Sequence, residues 1–295
     1  MTRAPQNTGL GILLMSATSF VFAVQDGISR HLAGEYNVLM VVMIRFWFFA
    51  AFALALSARQ PGGIVGQLRS RFPMLQLARG LILIVEICLM VLAFVKLGLI
   101  ASHAVFVSYP LIIAALSGPI LGEKVGWRRW SAIGVGFVGV LIILQPGTAV
   151  FSPWAALPLL CAVMFALYGL LTRYVAQGDA TGTSFLWTGL VAAIAITGPG
   201  LWYWEPVSAT DWLWMGALCL TGITSHYMMI KAYEVAEAGD IQPFALLQLV
   251  FIALMGLTLF GETLAPNVVI GAALVMAAAL FTLWRARVVA RRGKS

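Results

Sequence analysis

Glu86 lies within the apolar run Pro73–Val95, about 10 Å from Arg79 and about 15 Å from Lys96 along a helix rising 1.5 Å per residue. An ionisable side chain at that depth is costly in hydrocarbon, which marks it as a functional candidate. Glu86 can bind a substrate ammonium or carry a proton; a structural pair with Arg45, inside another apolar run, is the alternative. His103, Tyr109 and Pro110 share one apolar run, and Gln242 and Gln248 share another. Pro110 removes a backbone donor in mid-helix and frees the carbonyl of Phe106, for a ligand or for a bend. Gln25 and Tyr168 form another polar pair, and His226 and Tyr227 stand together, with His226 a candidate proton-sensitive gate. Trp47, Phe106, Trp187, Tyr227 and Phe244 are candidate apolar walls for a substrate side chain, packing being the alternative for each. Asp26 precedes Arg30 by four residues, a spacing that predicts a local salt bridge.

The elements that carry these residues are membrane spans. The chain has 295 residues, 61% hydrophobic and 10% charged. A soluble domain is about 25% charged, so only lipid can cover this much apolar surface. Ten segments satisfy the length rule for spans: Leu10–Ser29, Val38–Ala58, Pro73–Val95, Leu99–Leu121, Trp127–Leu144, Trp154–Tyr174, Ser184–Tyr203, Trp212–Tyr233, Ile241–Phe260 and Val268–Trp284. With that count, 15 of the 18 Lys and Arg fall on the side of the N-terminus, two (Arg30 and Lys96) on the other, and Arg45 within a span. The positive-inside rule then puts both termini in the cytoplasm of a cell-membrane protein. Eight of the ten Trp stand near span ends, as in an aromatic belt.

The same arithmetic excludes other functions. The net charge of +7 is topogenic and spread over several loops, so nucleic acid is not an expected partner. Gly134-x-Gly136-x-x-Gly139 matches a dinucleotide fingerprint only in letters. It follows no strand and lies inside a span, so it reads as a small-residue face for close helix packing, with a similar face around Gly271. The ending Gly293-Lys294-Ser295 lacks the glycine and the following helix of a phosphate loop. His31, His103 and His226 have no metal spacing with Cys88, Cys161 or Cys219, and no nucleophile elbow occurs. No enzyme, metal or cofactor is expected.

Ala93–Glu123 aligns without gaps on Ala232–Glu262, each closing on Gly-Glu, with five identities in 31 positions. Phe22-Ala23 leading to Ser29-Arg30 matches Phe165-Ala166 leading to Thr172-Arg173 in register. The correspondence pairs His103 with Gln242, Tyr109 with Gln248, and Gln25 with Tyr168, which predicts a shared cavity. Five spans per half make the second repeat inverted, a signature of secondary carriers that alternate access between their halves. The expected fold is all-α, with residues 1–147 as one five-helix repeat and 148–295 as the other. Leu249 replaces Pro110 in the second half, so the polar chemistry is concentrated in the first.

Gly122-Glu-Lys-Val-Gly-Trp-Arg-Arg-Trp130 runs into Gly136-Phe-Val-Gly-Val-Leu-Ile-Ile-Leu-Gln-Pro-Gly147. With Arg79-Gly80-Leu81, Arg45-Phe46, Pro110 and the ten-span doublet, the chain resembles the EamA family of the drug/metabolite transporter superfamily. The resemblance covers nearly the whole chain and implies a carrier of small metabolites; a complete doublet can form its cavity alone, so a monomer is expected. Its narrower form, to the YddG-type exporters, implies export of neutral or aromatic amino acids. The alternatives are import or export of a nucleoside derivative, S-adenosylmethionine or a vitamin, or a passive channel.

Overall fold

A computed structural model describes residues 7–60, 62–121, 126–144, 152–175, 178–236, 241 and 244–292. Expectations resting on Gly122-Glu123, Gln145–Gly147, Gln242 and Pro243 lie outside them. The helices are α1 (Thr8–Glu35), α2 (Val38–Ala58), the short α3 (Gly63–Leu68), α4 (Pro73–Leu97), α5 (Leu99–Phe106) and α6 (Tyr109–Leu121). There follow α7 (Trp127–Leu144), a 3-10 turn at Pro153–Ala155, α8 (Ala156–Val175), α9 (Thr181–Trp202), α10 (Ala209–Val235), α11 (Leu247–Leu259) and α12 (Pro266–Arg292). No strand occurs among the described residues.

Local chemistry sets these ends. Asn7 and Asn37 cap α1 and α2 by accepting from the N–H groups of Leu10 and Leu39 at 3.0 and 2.9 Å. Pro73 opens α4, where a missing N–H costs nothing. Gly98, at φ +95°, turns the chain from α4 into α5, a backbone shape that favours glycine.

Six helices among the described residues are long and apolar enough to cross a membrane, with three shorter apolar ones beside them. The span starting at Leu99 is divided, because Val107 and Ser108 form a turn between α5 and α6. The span starting at Ile241 is divided too, by a turn at Leu246 before α11. Sequence reading anticipated a bend only at Pro110; Leu246 stands where Val107 maps, without a proline at the mapped position of Pro110. Helix α1 continues past Ser29 to Glu35, and α12 continues to Arg292, so much of the basic tail is helical. The eight belt tryptophans, Trp127, Trp130, Trp154, Trp202, Trp204, Trp212, Trp214 and Trp284, are all exposed, as lipid-facing rings must be.

The most extensive pairings join α1 with α10 and α7 with α12, followed by α2 with α9 and α4 with α8. The α7–α12 seam is the small-residue contact expected from Gly139 and Gly271. A Cβ on Gly271 would stand 2.5 Å from the carbonyl oxygen of Gly139, and one on Gly139 would stand 2.7 Å from that of Gly271. Each carbonyl occupies the place of the other glycine's missing Cβ, with the Ile143 and Val275 side chains packed beside it.

Polar ties close the ends of the bundle. The Glu262 carboxylate accepts from Arg30 and from the N–H groups of Leu99 (2.7 Å) and Ile100 (2.9 Å). It thereby caps α5 and joins it to α1 and to the end of α11. Arg30 also lies 4.2 Å over the Phe260 ring. This corrects the expected Asp26–Arg30 pair: the tertiary acid at Glu262 supplies a partner with a helix N-terminus behind it, which an i,i+4 contact lacks. At the other end, Asp179 accepts from Ser70 Oγ (2.5 Å), the N–H of Arg71 (2.7 Å) and Gln76 Nε2 (2.8 Å). Burial pushes the Asp179 pKa up, but these hydrogen bonds outweigh it and hold it below the usual carboxylate value.

Gly271→Ala should force α7 and α12 apart and lower the detergent melting temperature by several degrees. Gly134→Ala, which meets nothing within 4 Å, should leave it unchanged. Glu262→Ala should cost about 2 kcal/mol in thermal or denaturant unfolding, because three donors lose their acceptor. The lowered pKa of Asp179 gives stability that is present above its unfolded value and lost as pH falls through the folded one. Asp179→Asn should therefore flatten the acid limb of the melting curve below about pH 4.

Candidate functional site

The breaks in the two divided spans come together. A small cavity of about 20 Å³ lies between them, lined by His103, Phe106, Tyr109, Leu246, Gln248 and Leu249 among others. That is room for about one water. The repeat mates Tyr109 and Gln248 both line it; Gln242 lies outside the described residues. Pro110 occupies the first turn of α6, where its ring is tolerated, and the chain bends just before it. Ser102 and Ser108 bury hydroxyls with no hydrogen-bond partner among the described residues.

Asp26 on α1 faces this break. Gln248 Nε2 donates to its Oδ2 at 2.9 Å, and His103 Nε2 stands 3.2 Å from the same oxygen. The His103 approach is at ion-pair distance but is not well directed, so Nε2 has no proper hydrogen bond among the described residues. The imidazole stacks on Phe94 at 5.2 Å. Asp26 thus joins α1 to α5 and α11, and sequence reading missed it by assigning it to Arg30.

Glu86 on α4 and Arg45 on α2 are both buried, 4% and 8% exposed. They act on each other and on Asp26 electrostatically, yet no ion pair joins them among the described residues. The alternative reading of Glu86, a structural pair with Arg45, is thus present as an electrostatic interaction without a direct ion pair. Gln25 Oε1 accepts from Ser225 Oγ at 3.4 Å and borders Gly222 alongside Arg45 Nε. Ser225 lies on α10, so each half contributes a polar residue to this region. His226 Nδ1 bonds the Gly222 carbonyl at 2.8 Å, and its ring meets the edges of Phe22 and Phe49.

A ladder of rings leaves the break along α8. Phe106 and Tyr109 contact Phe165 at 5.4 and 5.0 Å, Phe165 stacks on Tyr168 at 6.1 Å, and Arg79 lies 5.1 Å over the Tyr168 ring. Arg79 is 1% exposed and is held by Thr172 Oγ1 at 2.9 Å and by Gln76. Tyr168 therefore joins Arg79, while its repeat mate Gln25 joins Ser225.

Three expected walls stand elsewhere. Tyr227 is 50% exposed on α10. Trp47 lines an apolar cleft of about 400 Å³ between α2 and α10 and donates to Thr197 Oγ1 at 2.8 Å. Trp187 donates to the Leu68 carbonyl at 3.1 Å, bracing α3. Periodicity alone could not tell a lipid-facing ring from an inward one, because both positions are apolar.

Among known proteins, the profile of the EamA-like transporter family matches residues 9–145 and again 152–284. An S-adenosylmethionine uptake transporter of Rickettsia felis is 24% identical over 94% of this chain and 92% of its own. A riboflavin transporter of Rhizobium johnstonii is 28% identical over 95% and 92%, and one of Vibrio cholerae is 27% identical over 94% of each. A solved crystal structure shares the fold, with a TM-score of 0.63 at 19% identity over 95% of this chain and 98% of that one. These relatives are named as transporters, not enzymes, and none of the three is named for amino acid export. Matched in both halves by the family profile, the chain belongs to the EamA-like transporter family, as a multi-pass cell-membrane transporter of small metabolites.

Proposed function

We propose that this protein is a secondary carrier working by alternating access between two inverted five-helix repeats, residues 1–147 and 148–295, with both termini cytoplasmic. The packing pattern supports this reading. Exchanging the halves turns α1–α10 into α8–α4, and turns α1–α11 into α8 with α5 and α6; α2–α9 and α7–α12 map onto themselves. The double match of the family profile and the odd span count per half point the same way. One chain holds both repeats, so a monomer suffices.

The substrate reading departs from neutral amino acids. Relatives named for S-adenosylmethionine and riboflavin favour a metabolite with a heteroaromatic ring. The single observation that selects between them is the group of Asp26, Glu86 and Arg45, the last two buried and the first partly so. Two carboxylates and one guanidinium suit a substrate that carries cationic centres and a carboxylate, as S-adenosylmethionine does and riboflavin does not. The ring ladder from Phe106 to Tyr168 offers stacking to its purine. A second reading, a flavin-type substrate held by the ladder alone, is favoured by the 27–28% identity to riboflavin transporters. Since the cavity at the breaks holds about one water, binding requires α5–α6 and α11 to part.

Counterflow in liposomes tests this directly, with S-adenosylmethionine, riboflavin and phenylalanine as labelled solutes. Saturable exchange of S-adenosylmethionine is expected. Exchange of riboflavin alone would select the second reading, exchange of phenylalanine alone would overturn both, and uptake that never saturates would indicate a pore. Glu86→Gln should lower S-adenosylmethionine exchange by about tenfold or more, the loss of one charge-assisted contact, while the protein stays monodisperse. Labelling of single cysteines in the 59–71 loop should occur from the cytoplasmic face; labelling from outside would overturn the topology.

A further inference from the structure

We propose that the cleft between α2 and α10 is a binding site for one acyl chain of a membrane lipid, entering from the membrane face at which Trp212 lies. The chain fills a seam that the other half of the molecule closes with its own side chains, and it must leave before this seam can close. The second clause rests on the alternating-access reading above.

Two equivalent helix faces have different neighbours. The repeat correspondence extends without a gap from Ala93 and Ala232 back through α4 and α10, where Ala78, Leu81, Ile84 and Met90 meet Ala217, Leu220, Ile223 and Met229. It sets Gln76, Leu77 and Gly80 of α4 against Met215, Gly216 and Cys219 of α10. On α4 that face is covered by α9. A Cβ added to Gly80 would stand 2.6 Å from the Val191 Cβ, and Gln76 Nε2 donates to Ser184 Oγ at 3.0 Å. On α10 the same face lines the cleft of about 400 Å³, and α2, the counterpart of α9, stands back from it. A Cβ added to Gly216 meets nothing within 4 Å. When the halves trade packings, α2 takes the seat that α9 holds now, and whatever occupies the cleft is expelled.

The walls select hydrocarbon. Trp47, Phe48 and Ala51 of α2 are exposed along one side of the cleft, with Met215, Gly216 and Cys219 of α10 on the other. The Trp47 ring N–H is held by Thr197 Oγ1 at 2.8 Å and the side chains around it are apolar, so water finds too few partners there. Left empty, the cleft would forfeit the dispersion contacts of every wall. Trp212, at its mouth, belongs to the aromatic belt, and Cys219 lies about 10 Å deeper along α10 at 1.5 Å per residue. The cleft therefore runs from the headgroup edge into the acyl layer, a course that an unbranched chain follows. Met215 belongs to a buried cluster with Val41, Leu218 and the α1 residues Ile28 and Leu32, which closes the cleft on its inner side. A helix of a second copy, about 10–12 Å across, is too thick to enter.

The test uses purified full-length protein in liposomes that contain a phosphatidylcholine with a photoactivatable diazirine on one acyl chain, and mass spectrometry of the labelled peptides. A diazirine midway along the chain should label Phe48, Met215 or Cys219, and one near the carboxyl end should label Trp212. Gly216→Trp and Ala51→Phe, which fill the cleft from its two sides, should lose that label while label around Trp154 is kept. Cleft label no stronger than that around Trp154, or left in place by the filling variants, would overturn the proposal. Cleft label that falls as the protein-to-lipid ratio rises would point to a second copy and overturn it too. Counterflow supplies the second readout. Both filling variants should keep the melting temperature of the unsubstituted protein and lose exchange of whichever solute it carries, whereas Gly216→Ala should keep both. Exchange retained by either folded filling variant would show that the seam does not close, which overturns the proposal and leaves the carrier reading intact. If the unsubstituted protein exchanges no solute or never saturates, the carrier reading fails, and the labelling alone decides the acyl-chain site.

Discussion

Inside a bilayer, each hydrogen-bonding group needs a partner from the protein itself, because hydrocarbon supplies none. A helix that stops at membrane depth exposes backbone groups that no water reaches, so every interruption must be justified by a neighbour. Here two spans are interrupted, at Val107–Ser108 and at Leu246, and the breaks are set against each other. The polar side chains collect there: Asp26 with Gln248 and His103, and the uncompensated hydroxyls of Ser102 and Ser108. The site is thus a by-product of the same constraint that makes the rest of the molecule helical.

The tie at Glu262 obeys the same rule at the edge of the bundle. Helix α5 begins immediately after the turn at Gly98, and its first N–H groups would be orphaned. A carboxylate from the far half supplies the acceptor, and a guanidinium from α1 balances its charge. A single side chain therefore satisfies a backbone end, a charge and a tertiary link at once. At the opposite end, Asp179 does a comparable task for the start of α4 with neutral donors.

Much of the fold was legible because span length and apolar content are coarse properties. The bounds of α2 and α7 were read without error, and the Gly139–Gly271 seam followed from spacing alone. What was not legible depends on the direction of side chains. Asp26 and Arg30 had the spacing of a helical pair, yet each found a better partner on another helix, and sequence distance contains no record of that choice. Trp47 and Tyr227 sat in apolar runs whose outer and inner faces are equally greasy, so their outward position had no signal in the pattern. The second break was hidden because Leu249 replaces Pro110; its signal was the repeat correspondence, which maps Val107 onto Leu246. Glu86, Tyr109 and Gln248 stood out in the sequence because polarity at depth is rare.

The seam between α7 and α12 has a mechanical meaning. Where side chains interlock, two helices can slide by exchanging rotamers, but where a carbonyl oxygen fills the place of a glycine's missing Cβ there is little compliant material to deform. Such a contact behaves as a bearing with almost no play. In the alternating-access cycle proposed above, the pair would be the stationary post around which the other helices rock, and a ligand that wedged this post open would stall that cycle from a distance.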